Sequence, residues 1–126
     1  MKIKQLAQKY NLSKNDFWEL TLGKKTMWII THDAIEKIAN IENIELTNFE
    51  VLNTENDFAR FLITMKKGNK SIMSIGEASV KNCKSNYYGC MAEKRGIDRC
   101  VLKLINAYEY GIYSDVEADN FKKQQS

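Results

Sequence analysis

The 126-residue sequence contains no proline and a single histidine, His32. Proline-rich linkers, which often separate domains, are therefore missing, and we expect one domain. The apolar runs are short, and none approaches the ~20 residues that a membrane-spanning helix needs. The N-terminal residues lack the apolar segment of a secretory signal peptide. Together these absences predict a cytoplasmic protein without membrane association.

Cysteines are few as well, and Cys83, Cys90 and Cys100 form no CxxC pair. With one histidine beside them, the ligands of a zinc site are incomplete, so we expect reduced thiols, no metal and no cofactor. The sequence also lacks a P-loop, a GxSxG motif, an HExxH motif and a glycine-rich dinucleotide turn. These absences favour a protein that is not an enzyme.

Isolated side chains suggest two possible catalytic sites. His32 stands at the start of a predicted helix, and we interpret it as structural because no nucleophile is linked to it in sequence. A magnesium-dependent nuclease site could draw on Glu77, Asp98 and Asp115. Metal-dependent nucleases cluster their carboxylates more tightly than this spacing suggests, so the nuclease interpretation is disfavoured.

Charge is unevenly distributed along the chain, although the net charge is only +3. Lysine and arginine dominate residues 66–103, whereas residues 31–57 and 109–119 are acidic. Hydrophobic residues make up 44% and charged residues 28%, which is typical of a globular domain. We therefore expect a folded protein with one basic and one acidic surface.

Periodicity predicts helices near the N-terminus. Apolar residues recur at helical spacing over residues 3–10, and Ser13 and Asp16 read as a capping box that would start a second helix carrying Phe17, Trp18 and Leu20. A helix-turn-helix is disfavoured because no recognition-helix pattern follows. We expect residues 1–26 to form a short helical lid.

The central part of the chain predicts an α+β fold over residues 27–113. A short buried strand at 27–30 precedes a helix capped by Thr31, and strands follow at 44–52, 58–67 and 71–78, the last two joined by a turn at Gly68-Asn69. A long helix completes the core. The predicted architecture is a three-stranded antiparallel β meander packed against a long C-terminal helix (a β-β-β-α core), followed by an acidic and then frayed tail at 114–126.

Two features of the long helix and the loop before it suggest binding of a polyanion. Arg95, Arg99 and Lys103 recur at helical spacing beside Lys94, and they form either a solvated face or a cationic stripe. The loop 79–88 combines lysines with the aromatic pair Tyr87-Tyr88. These tyrosines could stack on unpaired bases or could simply anchor the helix to the sheet.

The stretch from Gly76 onward resembles a known family. Gly76-Glu77-Ala78, residues 91–99, Asn106-Ala107 and residues 112–115 are similar to the corresponding parts of the Rad-fifty-two-type single-strand annealing proteins encoded by bacteriophages. The resemblance implies a β-β-β-α core, single-stranded DNA in a positively charged groove, and subunits that assemble in rings. It also places Arg99 where the family commonly has a DNA-contacting arginine.

We therefore interpret the chain as a non-enzymatic protein that binds and anneals single-stranded DNA in phage or mobile-element recombination, alone or as a homo-oligomer (a ring or an extended sheet). This interpretation requires the predicted binding residues to form a single trough: Lys66, Lys67, Lys70, Lys81, Lys84, Tyr87, Tyr88, Lys94, Arg95, Arg99 and Lys103. The alternative is a phage-encoded protein-interaction module or inhibitor that binds a host protein through its acidic surfaces.

Overall fold

The computed structural model of the protein describes residues 3–55, 57–82 and 87–118. Its helices are α1 (Ile3–Lys9), α2 (His32–Ile41) and α3 (Tyr88–Leu104), and its strands are β1 (Phe17–Leu22), β2 (Lys25–Ile30), β3 (Glu45–Glu55), β4 (Phe58–Lys67), β5 (Lys70–Ser79) and β6 (Ile112–Ser114). Two short 3₁₀ turns lie at Lys14–Asp16 and Tyr108–Tyr110.

The predicted helix after the capping box is wrong, although the box itself is confirmed. Ser13 and Asp16 cap each other's backbone, but they enclose one 3₁₀ turn, and Phe17 then adopts extended backbone angles. Residues 17–22 form β1, because Leu20 and Leu22 alternate onto a small core cluster around Met27 and Ile29. The N-terminal 26 residues are therefore part helix and part β hairpin.

The first sheet, with strand order β1-β2-β6, was predicted only at β2. β1 and β2 pair antiparallel around a turn at Gly23, and β6 adds in parallel to β2, with Ile29 beside Tyr113. α2 leaves the end of β2 directly, and the Thr31 hydroxyl accepts a hydrogen bond from the Ala34 backbone as predicted. The pairing of β2 with β6 therefore brings the start of α2 next to the segment that follows α3.

The second sheet is the predicted antiparallel meander, with order β3-β4-β5. On β4, the side chains from Ala59 to Met65 at alternate positions are buried and face α3, and those between them face the other side. Register places Val51 and Phe49 of β3 opposite Phe61 and Ile63. Phe49 and Val51 therefore lie on the same sheet face as the buried β4 side chains that pack against α3.

α3 packs on β4 and β5, and the α+β fold with a three-stranded meander against a long helix is thereby confirmed. The approach is closest at two glycines, as a Cβ on Gly76 would lie against the backbone of Ala92 and Gly96. Cys100 follows one turn later, and its thiol lies 3.4 Å from the Ile63 carbonyl. No helix in the described part of the chain is long and apolar enough to span a bilayer.

Candidate nucleic-acid interface

Arg95 does not belong to an exposed stripe, which corrects the prediction for this residue. Its side chain is 1% exposed. The guanidinium donates to the carbonyls of Val116, Glu77 and Asn82 at 3.0, 2.9 and 2.6 Å and to the Asn82 side chain at 2.8 Å. A guanidinium buried among carbonyls holds together the protein's own backbone, so we remove Arg95 from the predicted nucleic-acid surface.

Arg99, one turn further along α3, is also engaged within the protein. Its guanidinium donates to the Ile75 carbonyl at 2.5 Å and lies 3.4 Å from the Glu117 carboxylate. Glu117 in turn accepts a hydrogen bond from the Tyr108 hydroxyl at 2.7 Å. Arg99 therefore ties β5 to the segment after β6, and what remains exposed of the predicted helix stripe is Lys94 and Lys103.

The lysines of the β4–β5 hairpin lie together at its tip, as predicted. Lys66 and Lys70 are exposed, whereas Lys67 lies 2.9 Å from the Glu42 carboxylate. This contact with Lys67 lowers the pKa of Glu42. α3 runs toward the hairpin end of the sheet, because Cys100 lies beside Ile63 in the second half of β4. Lys103 comes three residues later on the helix, so it lies nearer to the hairpin.

Tyr87 and Tyr88 lie at the opposite end of the same sheet, where they line a cleft of about 330 Å³. Tyr87 is 75% exposed, whereas Tyr88 packs partly against the core, as the anchoring alternative predicted. Phe58, at the start of β4, provides a third aromatic ring in the cleft. The cleft can therefore receive a flat apolar group between aromatic side chains.

A second cleft of about 290 Å³ adjoins the first, since Glu55 and Phe58 line both. Lys81 lines the second cleft together with Asp57. The carboxylates of Glu55 and Asp57 would repel a phosphate inside the clefts, but they do not repel a neutral base. The arrangement suits a base in the aromatic cleft with its phosphates outside.

Lys94 lies on α3 one turn beyond the aromatic cleft. It follows the cleft-lining Cys90 by four residues on α3, so the two side chains lie on one helix face. Lys81 in the adjoining cleft and Lys94 on α3 are therefore the predicted cations nearest to the tyrosines in the described part of the chain. The predicted site residue Lys84 lies outside the described residues.

The predicted residues thus form two groups rather than one trough. Tyr87, Tyr88 and Lys81 lie at the start of β4, with Lys94 one helical turn after Cys90, and the hairpin lysines lie at its end. Nine residue-to-residue steps along the strand lead from Phe58 to Lys67, a span of about 30 Å at about 3.3 Å per step. The prediction of a single trough is wrong for Arg95 and Arg99, because their guanidinium groups bind backbone carbonyls of the protein itself.

Sequence reasoning missed a polar cluster around His32. Its Nδ1 lies 2.6 Å from the Asp98 carboxylate and its Nε2 lies 2.9 Å from Glu36, while its backbone N–H donates to Asp115 at 3.0 Å. The hydrogen bond with Asp98 raises the pKa of His32, and burial raises the pKa of Asp98 to about 6. Asp98 and Asp115 are distant from His32 in sequence, so no local motif could have revealed this cluster.

The cluster joins α2, α3 and the segment after β6. Glu77, the third carboxylate of the disfavoured nuclease site, lies apart from it and pairs with Arg60 at 3.2 Å. Within residues 3–55, 57–82 and 87–118, no group of three His, Cys, Asp or Glu side chains is arranged to hold a metal ion. We interpret the cluster as a structural tie, which keeps the original interpretation of His32 as structural.

The raised pKa of His32 predicts a dependence of stability on pH. The folded protein favours the charged imidazolium of His32. The contribution of His32 to the free energy of unfolding is therefore complete below its pKa in the unfolded chain, about 6.5, and is lost as the pH rises through its higher pKa in the folded protein. The difference in unfolding free energy between wild type and His32→Gln should therefore shrink above pH ~6.5. Urea unfolding across this range measures it, and a difference that stays constant would contradict the assignment.

Comparison with known proteins yielded no relative: no protein-family model, curated protein or solved structure matches the chain.

Proposed function

We propose that the protein binds single-stranded nucleic acid, with DNA favoured, and that it acts in strand annealing during recombination of a phage or mobile element. The observation that carries the proposal is the aromatic cleft of Tyr87, Tyr88 and Phe58, with Lys81 in the adjoining cleft and Lys94 one helical turn after the cleft-lining Cys90. Unpaired bases expose flat apolar faces that stack on aromatic rings, whereas bases in a duplex do not. Single strands are therefore the form that this cleft suits.

The lysines supply the affinity for the backbone. Lys81 and Lys94 would neutralise phosphates next to the stacked base, and Lys66, Lys70 and Lys103 offer a second contact region toward the hairpin. A strand that spans both regions crosses the length of the sheet. Each neutralised phosphate releases counterions, so affinity should fall as the salt concentration rises.

The dependence of affinity on salt concentration shows whether a strand contacts only the lysines near the aromatic cleft or also those toward the hairpin. For single strands, log K against log salt is expected to have a slope of about −0.7 per neutralised phosphate. Lys81 and Lys94 alone give a slope of about −1.4, and these two together with Lys66, Lys70 and Lys103 give about −3.5. Fluorescence anisotropy with a labelled oligothymidine measures the slope, and the duplex of the same sequence serves as the control. Equal affinity for the duplex, or no salt-dependent binding, would contradict the proposal.

Replacing Tyr87 by alanine is expected to weaken oligothymidine binding by 5- to 150-fold, since one stacked base contributes about 1–3 kcal/mol. Tyr87→Phe keeps the ring and should bind nearly as well as wild type. Tyr110→Ala is the matched control, because Tyr110 is also exposed but lies outside the cleft. Anisotropy titrations of the three variants measure the effect, and equal losses for Tyr87→Ala and Tyr110→Ala would exclude the cleft as the site.

A further inference from the structure

The two edges of the β3-β4-β5 sheet differ in how they are protected. At the β5 edge, the carbonyls of Glu77 and Ile75 accept hydrogen bonds from Arg95 and Arg99 of α3. The long helix therefore occupies backbone acceptors to which another strand would pair. At the opposite edge, every residue of β3 is exposed, over the 11 residues of the strand.

β3 is exposed on its apolar side as well as along its edge. Leu46, Phe49 and Val51 continue the helix-facing row of β4, but α3 packs over β4 and β5. These three side chains remain 51%, 39% and 57% exposed. A long open edge with an uncovered apolar row is a surface to which a further strand can add.

We propose that β3 pairs antiparallel with β3 of a second copy of this chain, across a two-fold axis at Phe49. Head-to-tail addition would place β3 against the β5 edge of the next copy, where Arg95 and Arg99 already occupy the carbonyls of Glu77 and Ile75. An isologous pair uses the same open edge twice, and it closes after two subunits.

Charge excludes the neighbouring register, in which the axis lies at Glu50. With the axis at Phe49, Glu50 lies opposite Asn48 of the other copy, and Glu45 lies opposite Asn53. With the axis moved by one residue to Glu50, each Glu50 would meet its own copy and Glu45 would meet Glu55, which places like charges directly opposite each other. The axis at Phe49 avoids every such pair along the strand.

The same register matches the two faces of the sheet. Register with β4 places Glu50 and Asn48 opposite Leu62 and Thr64, on the side away from α3. Irregularities in pairing occur at Leu46/Asn48 and at Val51/Asn53, so the segment around Phe49 is regular. Opposite residues of paired strands point to one face, so both α3 helices lie on the same side. The apolar rows of the two copies would then meet beneath them and cover each other.

Light scattering during size-exclusion chromatography, without nucleic acid, tests the proposal. The full chain is expected to convert from monomer to dimer as its concentration rises. Asn48→Lys places a lysine opposite Glu50 at two symmetric positions and should tighten the dimer by roughly 2- to 30-fold, whereas Asn48→Glu should weaken it by a similar factor. The opposite effects of one position report on the register itself.

Met73 provides the control, because it is exposed and lies opposite Thr64 on the same sheet face but on β5. Met73→Lys and Met73→Glu should leave the dimer unchanged. A monomer at every concentration would overturn the proposal and would leave β3 for a foreign strand. A larger ring, or equal effects of both Asn48 variants, would also overturn it. None of these outcomes depends on nucleic-acid binding.

Discussion

Replacing Arg95 by methionine is expected to lower the free energy of unfolding by about 3 kcal/mol or more, since it leaves buried acceptors unpaired. Methionine fills a similar volume but donates no hydrogen bond. The carbonyls of Val116, Glu77 and Asn82 would lose the Arg95 donor, and Asn82 Oδ1 would keep only its hydrogen bond from the Ser79 N–H. Because these acceptors belong to β5, the following turn and the segment after β6, the loss should affect the whole α3 layer.

Urea unfolding followed by circular dichroism measures this effect. Lys94→Met is the matched control, because it makes the same substitution at the neighbouring, exposed position and should change stability by no more than about 0.5 kcal/mol. If Arg95→Met were as stable as wild type while binding to oligothymidine fell, Arg95 would belong to the binding surface and its structural assignment would be wrong.

Replacing Gly76 by alanine is expected to be at least as damaging. The added Cβ would lie against the Ala92 carbonyl oxygen, 2.5 Å from the backbone nitrogen of Gly96 and 2.8 Å from its Cα. All three obstacles are backbone atoms, so no change of rotamer can relieve the overlap, and α3 must move away from β5. Overpacking of this kind costs typically 1–3 kcal/mol and occasionally more, and we expect about 3 kcal/mol.

Gly89 is the control for Gly76. It lies in the first turn of α3, and a Cβ there meets nothing within 4 Å. Gly89→Ala should leave stability unchanged or raise it by up to about 1 kcal/mol, since alanine favours helix. Thermal melts of both variants measure the contrast. Equal stability of the two variants would show that the close approach of α3 to β5 does not limit the fold.

The sequence predicted the meander and the long helix because both are specified locally. Alternation along residues 58–67 and the turn at Gly68 define a hairpin, and the spacing of Ala92, Gly96 and Cys100 defines a helix face. The same reasoning failed at Phe17 and Leu20. Their spacing suits a helix, yet pairing with β2 holds both in a strand, where Leu20 packs against the Met27 cluster and Phe17 packs against Trp28. Tertiary contacts outweigh local preference there.

The candidate site was predicted less completely, for two physical reasons. A stripe of arginines at helical spacing is the same pattern whether its side chains meet solvent or the carbonyls of a strand edge, and only the position of β5 shows that Arg95 and Arg99 do the latter. Phe58 joins Tyr87 and Tyr88 because the meander brings the start of β4 beside the start of α3. That contact spans many residues of sequence and leaves no local pattern.

The most direct test of the account is a titration of ¹⁵N-labelled protein with oligothymidine, followed by two-dimensional NMR. Binding in the aromatic cleft predicts chemical-shift changes concentrated at amides of the cleft lining, namely Glu55, Phe58, Lys81, Tyr88 and Cys90, with the amides of residues 45–51 of β3 unchanged. Changes confined to residues 45–51, or an unchanged spectrum at saturating oligonucleotide, would contradict the proposal that this cleft holds unpaired bases.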